Sequence, residues 1–150
     1  MVEDKEGFRY PQVDKDTCID CHLCEKVCPV INAKADVAKE QKAFLLQHKD
    51  EKVLHESASG GAFTAIASYV IERGGVVFGA AYDKDFQVTH QYVETYEDLK
   101  IFRNSKYVQS YTGDALKQVK DFLKQGRMVC YTGTPCQLEG LLRYLRKPYD

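Results

Sequence analysis

Hydrophobic residues are unevenly spread along this chain. Residues 1–17 are polar apart from Phe8, Tyr10 and Val13, with Gly7 and Pro11 marking turns, which suits a short hairpin. Residues 33–41 are rich in Ala, Lys and Glu and read as a weakly helical or linker segment. Beyond Lys42 the apolar content rises and switches between strand and helix spacing. Residues 43–48 read as a buried strand. From Ala62, the apolar Phe63, Ile66, Ala67, Val70 and Ile71 recur at helical spacing until Gly74-Gly75. Val76–Tyr82 and Val88–Val93 have strand composition, and the turn at Lys84-Asp85 predicts that they pair as a hairpin. Residues 96–102 suit a short helix. Ala115, Leu116, Val119, Phe122 and Leu123 mark one face of an amphipathic helix closed by Gly126. Residues 128–131 read as another buried strand, and residues 137–145 as a last helix with Leu138, Leu141, Leu142 and Leu145 inward. Strands alternating with helices around an inserted hairpin predict a mixed α/β or α+β layer fold.

Ahead of that region stands a run of cysteines. Cys18-Ile19-Asp20-Cys21-His22-Leu23-Cys24-Glu25-Lys26-Val27-Cys28-Pro29 spaces four thiols three, three and four residues apart, with proline after the last. A tight loop bearing Cys18, Cys21 and Cys24 can present its thiolates to one iron–sulfur cube. A short helix beginning near Cys28 would point that residue elsewhere. In two-cluster bacterial ferredoxins the fourth cysteine of such a run ligates the other cluster. Zinc is the competing metal, but it usually takes cysteine pairs separated by a longer finger. A disulfide framework belongs to small secreted domains. The run is therefore read as a 4Fe-4S ligand set, Cys18, Cys21, Cys24 and Cys28, in a small ferredoxin-like module over residues 1–33. His22, His48, His55 and His90 are scattered and form no ligand pattern.

Composition narrows the setting. The 150 residues hold one domain-sized core beside the cysteine module, and a formal net charge of −1 provides no attraction for nucleic acid or an anionic membrane. The first residues lack the apolar core of a signal peptide, and the longest apolar stretch is too short for a membrane span. Six cysteines without secretory features fit a reducing compartment, so the chain is read as cytoplasmic.

Three loops of the second region could carry chemistry. In Gly133-Thr134-Pro135-Cys136-Gln137, Thr134 and Gln137 have capping-box spacing and Pro135 falls at the first helical position. Cys136 then sits in the first turn, where the helix dipole favours a thiolate. A well-capped helix with a small packed cysteine is the equal alternative. Cys130, inside an apolar strand, reads as core. In Ser57-Ala58-Ser59-Gly60-Gly61, Ser59 can cap the following helix, and the glycines leave backbone donors open to an anion such as a cofactor phosphate. In Arg103-Asn104-Ser105-Lys106-Tyr107, two cations could pair with phosphate and Tyr107 could lie on a flat ring, against the plainer reading of a charged surface turn.

Taken with the cysteine run, these loops, Gly74-Gly75-Val76-Val77-Phe78-Gly79-Ala80 and Asn104-Ser105-Lys106-Tyr107-Val108-Gln109-Ser110 resemble the coenzyme F-420 hydrogenase/dehydrogenase beta-subunit family over almost the entire chain. That resemblance implies an iron–sulfur flavoprotein oxidoreductase. An FAD would exchange hydride with a deazaflavin or another small organic substrate, and 4Fe-4S clusters would pass single electrons to a partner subunit or ferredoxin. It further implies that Ser59, Gly60, Gly61, Asn104, Ser105, Lys106, Gly133, Thr134, Pro135, Cys136 and Gln137 surround the flavin or its substrate, with Cys136 and Lys106 the catalytic candidates.

Two features depart from the family pattern. Many relatives carry two cysteine runs and this chain has one; Gly7-Phe8-Arg9-Tyr10-Pro11 looks like the joint between two such halves. The chain also stops at Tyr149-Asp150, directly after a helix, where the next strand of an α/β unit is due. The expectation is a fragment, with residues 42–150 forming the N-terminal part of the flavin domain. Without the first run, Cys18, Cys21 and Cys24 have no obvious fourth ligand. One closed cluster, an incomplete one, and recruitment of Cys130 or Cys136 stay open. The rival from another class is a non-catalytic ferredoxin-like carrier or adaptor that docks to a partner enzyme.

Overall fold

The computed structural model describes residues 2–33, 40 and 42–149, so the linker expectation for residues 33–41 lies, Ala33 and Glu40 apart, outside the described residues. The chain divides into two compact units, Met1–Ala33 and Lys34–Asp150.

The first unit opens with the expected hairpin. Strands β1 (Val2–Glu3) and β2 (Arg9–Tyr10) pair antiparallel, Val2 opposite Tyr10. The turn between them is built by Asp4, whose Oδ1 accepts from the N–H groups of Glu6 (2.9 Å) and Phe8 (3.0 Å), while Gly7 adopts φ +85°. Helix α1 (Leu23–Val27) starts earlier than the sequence suggests: it contains Cys24, and Cys28 is its extended C-cap. Pro29 explains the stop, because its ring excludes helical geometry from the residue before it. Asn32 then closes the unit, its amide donating to the carbonyls of Glu25 (2.6 Å) and Cys28 (3.0 Å). No described residue of this unit is buried.

The second unit is organised on a three-stranded sheet of order β4-β3-β5. β3 (Val76–Tyr82) lies centrally, antiparallel to β4 (Val88–Val93) and parallel to β5 (Val129–Tyr131). Period-two alternation sends Val77 and Ala81 to one face, where they pack with Ala67 and Val70 of α3 (Ala62–Ile71) and with Leu99 and Phe102 of a 3-10 helix (Glu97–Phe102). Val76 and Phe78 point to the other face, against Ala115 and Val119 of α4 (Ala115–Lys124) and Leu141 of α5 (Pro135–Leu145). Helices thus cover both faces, the α/β arrangement expected.

Three details differ from the sequence reading. Residues 43–48 form no strand; Phe44 and Leu45 are exposed, at 85% and 104%. Their apolar character serves a cleft wall, described below, and the segment is tied down by the His48 N–H donating to the Gly60 carbonyl (2.7 Å). A further helix, α2 (Glu51–His55), follows Asp50, whose carboxylate accepts from the Lys52 and Val53 N–H groups and so caps it. α5 buries Leu141 and partly Leu145, while Leu138 and Leu142 stay exposed: it packs through a narrow stripe on a small sheet.

Candidate functional site

Beside the carboxyl end of β5 lies a cleft of about 810 Å³, a size within the range of small-molecule and cofactor sites. Two of the loops singled out in the sequence meet there: residues 57–61 at the entry to α3, and Arg103, Asn104 and Ser105 beyond the 3-10 helix. Phe44, Leu45, Phe63 and Ile66 supply apolar wall, and Cys130, Tyr131 and Thr132 of β5 and its exit form the remainder. The 133–137 turn starts one residue beyond that lining. Lys106 does not line the cleft either.

The glycines at the α3 entry answer to close neighbours in the chain itself. A Cβ on Gly60 would come within 2.0 Å of the Leu46 carbonyl oxygen, and one on Gly61 within 2.9 Å of the His48 Cβ. Gly61, at φ +77°, rather than Ser59, occupies the cap position of α3, and no side chain caps that end. The helix therefore opens toward the cleft with its first-turn backbone and the positive end of its dipole.

The two cations of the 103–107 loop are already engaged. Arg103 pairs with Glu56 through Nη1, and its Nε donates to Oγ1 of the fully buried Thr64 (3.3 Å). Lys106 Nζ donates to the carbonyls of Ile101 (2.9 Å) and Arg103 (2.8 Å), closing the C-terminal end of the 3-10 helix. Burial lowers the Lys106 pKa from its ordinary value. Asn104 takes a left-handed φ of 67°, a conformation asparagine tolerates better than most residues. Tyr107 is 94% exposed. Both lysine and arginine thus shape the loop that presents Asn104 and Ser105 to the cleft.

The turn after β5 folds as its sequence dictates. Pro135 is the first residue of α5, Cys136 the second, and Gln137 Oε1 accepts from the Thr134 N–H (2.9 Å), one arm of the capping box. Cys136 is exposed, its Sγ 3.0 Å from Thr134 Oγ1. Cys130 is half-buried against the α3 face of the sheet, and burial pushes its thiol pKa up.

Sequence reasoning passed over two residues. His90, buried on β4, bonds the Thr132 carbonyl through Nε2 (3.0 Å) and Ser110 Oγ through Nδ1 (2.9 Å); Ser110 in turn accepts from Gln137 Nε2 (2.8 Å). Tyr131 stacks on the His90 ring at 5.0 Å and 12°. The Tyr131 hydroxyl is buried without a hydrogen-bond partner among the described residues, and burial pushes its pKa up to about 12. A histidine two residues from Val88 and from Tyr92, on one face of an alternating strand, was the available signal for the first. Tyr131 carried none beyond its place at the end of β5.

In the first unit, Cys18, Cys21 and Cys24 are exposed, Cys28 is half-buried, and all four are free thiols. Left-handed residues Asp20 (φ 55°) and His22 (φ 54°) curl the loop between them. His22 lies between Asp20 (3.6 Å) and Glu25 (3.0 Å) rather than among the cysteines. Among the described residues no three His, Cys, Asp or Glu side chains gather closely enough for one metal ion. A cube gives each thiolate its own iron, so convergence on a point is not required of its ligands. Free thiols on a coreless loop suit such a cluster.

Comparison with known proteins accounts for both units. Residues 11–30 match the family described as a 4Fe-4S binding domain. Residues 43–117 match the family described as coenzyme F420 hydrogenase/dehydrogenase, beta subunit N-term. The coenzyme F420-dependent sulfite reductase of Methanocaldococcus jannaschii is 31% identical in an alignment of 135 positions that covers 85% of this chain and 20% of that protein. This chain thus spans about a fifth of the length of the curated relative it matches. No helix among the described residues is long and apolar enough to cross a membrane. With a 4Fe-4S motif preceding a mixed-sheet α/β unit that matches from residue 43, the chain belongs to the coenzyme F420 hydrogenase/dehydrogenase beta-subunit family.

Proposed function

We propose that this chain belongs to a cytoplasmic oxidoreductase, and that it moves electrons between an FAD seated in the cleft and 4Fe-4S chemistry at Cys18, Cys21, Cys24 and Cys28. In this reading residues 1–33 are the electron-transfer module, residues 42–150 begin the flavin domain, and a partner subunit or ferredoxin exchanges the single electrons. Coenzyme F420, named in the matching sulfite reductase, is the first organic substrate to test.

The observation that carries this reading is the cleft itself. Its apolar wall, built by Phe44, Leu45, Phe63 and Ile66, suits a flat ring system. The uncapped first turn of α3 would hold a phosphate. Asn104 and Ser105, held in place by Arg103 and Lys106, would fix the ligand's orientation from the facing loop. Cys136 would close the site from the adjoining turn. Bound FAD supplies the conversion between a two-electron hydride and the single electrons that a cluster carries.

The test is the visible spectrum of the intact protein, purified without oxygen and reconstituted with iron, sulfide and FAD. Flavin bands over a broad iron–sulfur absorption are expected. Cluster absorption without flavin would select the carrier or adaptor reading instead, and absence of both would overturn the assignment.

A further inference from the structure

The 133–137 turn is held by a chain of hydrogen bonds whose direction can be deduced atom by atom. The Thr134 N–H can only donate, so the Gln137 side chain presents oxygen to it (2.9 Å) and its NH2 group to Ser110 (2.8 Å). Ser110 Oγ is thereby an acceptor, and with its own proton and a second lone pair it can either donate to or accept from His90 Nδ1 (2.9 Å). At the other end, the Thr132 carbonyl can only accept, so His90 Nε2 must carry the proton it shares (3.0 Å). The Thr132 end therefore fixes a proton on Nε2, and in the neutral ring Nδ1 is then an acceptor for which the Ser110 hydroxyl proton is available. The chain starts at Thr134 and finishes at Thr132, the two residues that flank Gly133. It is a ring closed around the turn.

We propose that His90 is the positioning residue of the 133–137 turn: locked as the Nε2–H tautomer, it closes a one-way ring through Ser110 and Gln137 that fixes where Cys136 is presented. The ring also explains Gly133. A Cβ there would come within 2.8 Å of Gln137 Oε1 and 3.3 Å of His90 Nε2, so any side chain enters the ring. Ser110 and Gln137, 27 residues apart in sequence, meet where the Tyr111 backbone bonds β4 at Val88 and His90, and the His90 ring links Ser110 onward to the exit of β5. Tyr131, stacked on the same imidazole, also packs on Phe78 at the α4 face of the sheet. This inference stands on the geometry of the turn and holds whichever cofactor fills the cleft.

Two measurements on the full chain test it. Two-bond proton–nitrogen correlation spectra of the wild-type protein at neutral pH should show His90 neutral with the proton on Nε2; an Nδ1–H tautomer or an imidazolium would overturn the proposal, even where a variant fails to fold. The second is the alkylation rate of Cys136 by iodoacetamide, read by peptide mass spectrometry with Cys130 as internal reference. Ser110→Ala opens the ring and should speed alkylation about fivefold, the equilibrium factor of one net hydrogen bond, while Ser110→Thr, which keeps the hydroxyl, should restore the wild-type rate. An unchanged rate in Ser110→Ala, or an acceleration that threonine does not reverse, would sink it.

Discussion

Two units of one chain are held together by different physics. Residues 2–33 contain a two-residue hairpin pair, one five-residue helix and, among the described residues, no buried side chain. The second unit buries Phe78, Leu99, Val76, Val77 and Val119 completely around a sheet covered on both faces. Small units that cannot bury enough apolar surface need disulfides, metals or partners, and here the cysteines are free. On the proposed function the first unit's fold depends on what its thiols bind, whereas the second depends on its own core. Loss of inorganic iron and loss of apolar packing should therefore damage separate parts of the molecule.

The largest effect should follow from removing the cluster. Cys21→Ser, or anaerobic iron chelation, is expected to abolish iron–sulfur absorption and bring the amides of residues 2–33 to unprotected hydrogen exchange. Protection in the β3–β5 sheet should stay unchanged. Equal loss in both units would break the contrast.

Phe78→Ala reverses the experiment. Truncating a fully buried ring costs about 3–5 kcal/mol, and Phe78 contacts the rings of Tyr92, Phe122 and Tyr131 across the α4 face. Urea unfolding of the second unit should shift by that amount while cluster absorption survives at low denaturant.

Gly60→Ala should cost less, about 1–3 kcal/mol as an overpacking strain, because the new Cβ collides with the Leu46 carbonyl. It also moves the 43–48 segment that walls the cleft, so flavin affinity should fall together with the unfolding midpoint.

The smallest effect is a pH dependence confined to the second unit. Burial lowers the His90 pKa below its ordinary 6.5, offset in part by the Thr132 carbonyl. Unfolding returns the ordinary value, so as pH falls the unfolded chain takes up the proton first. The contribution of His90 is complete above about pH 6.5 and is lost as pH falls from there through the lower folded pKa. The urea midpoint should drop as pH falls below about 6.5, with a flatter profile in His90→Asn. An equal drop in that variant would assign the dependence to other groups.

Much of this was legible in the linear chain because it rests on neighbours in sequence. The Cys18-to-Cys28 spacing, the alternation of Val76–Tyr82, the helical repeat from Ala62 and the Thr134–Gln137 cap are set by residues within a turn or two of each other. Where local signals misled, a distant partner intervened. The apolar 43–48 run has strand composition but no strand to pair with, so it walls a cleft. At Gly60 and Gly61 the close neighbours are the Leu46 carbonyl and the His48 side chain, which the Ser-Gly-Gly motif itself does not name.

Periodicity and cap chemistry alone determined that a thiol-bearing module precedes a layered sheet, because those signals act over one turn of helix or one pleat of strand. The tertiary structure alone decided that Arg103 answers Glu56, 47 residues away, and that His90 joins Ser110 to Thr132 across 20 and 42 residues. Such pairs form only after burial removes water as the competing partner, and no pattern along the chain records which side chains will be left to find each other.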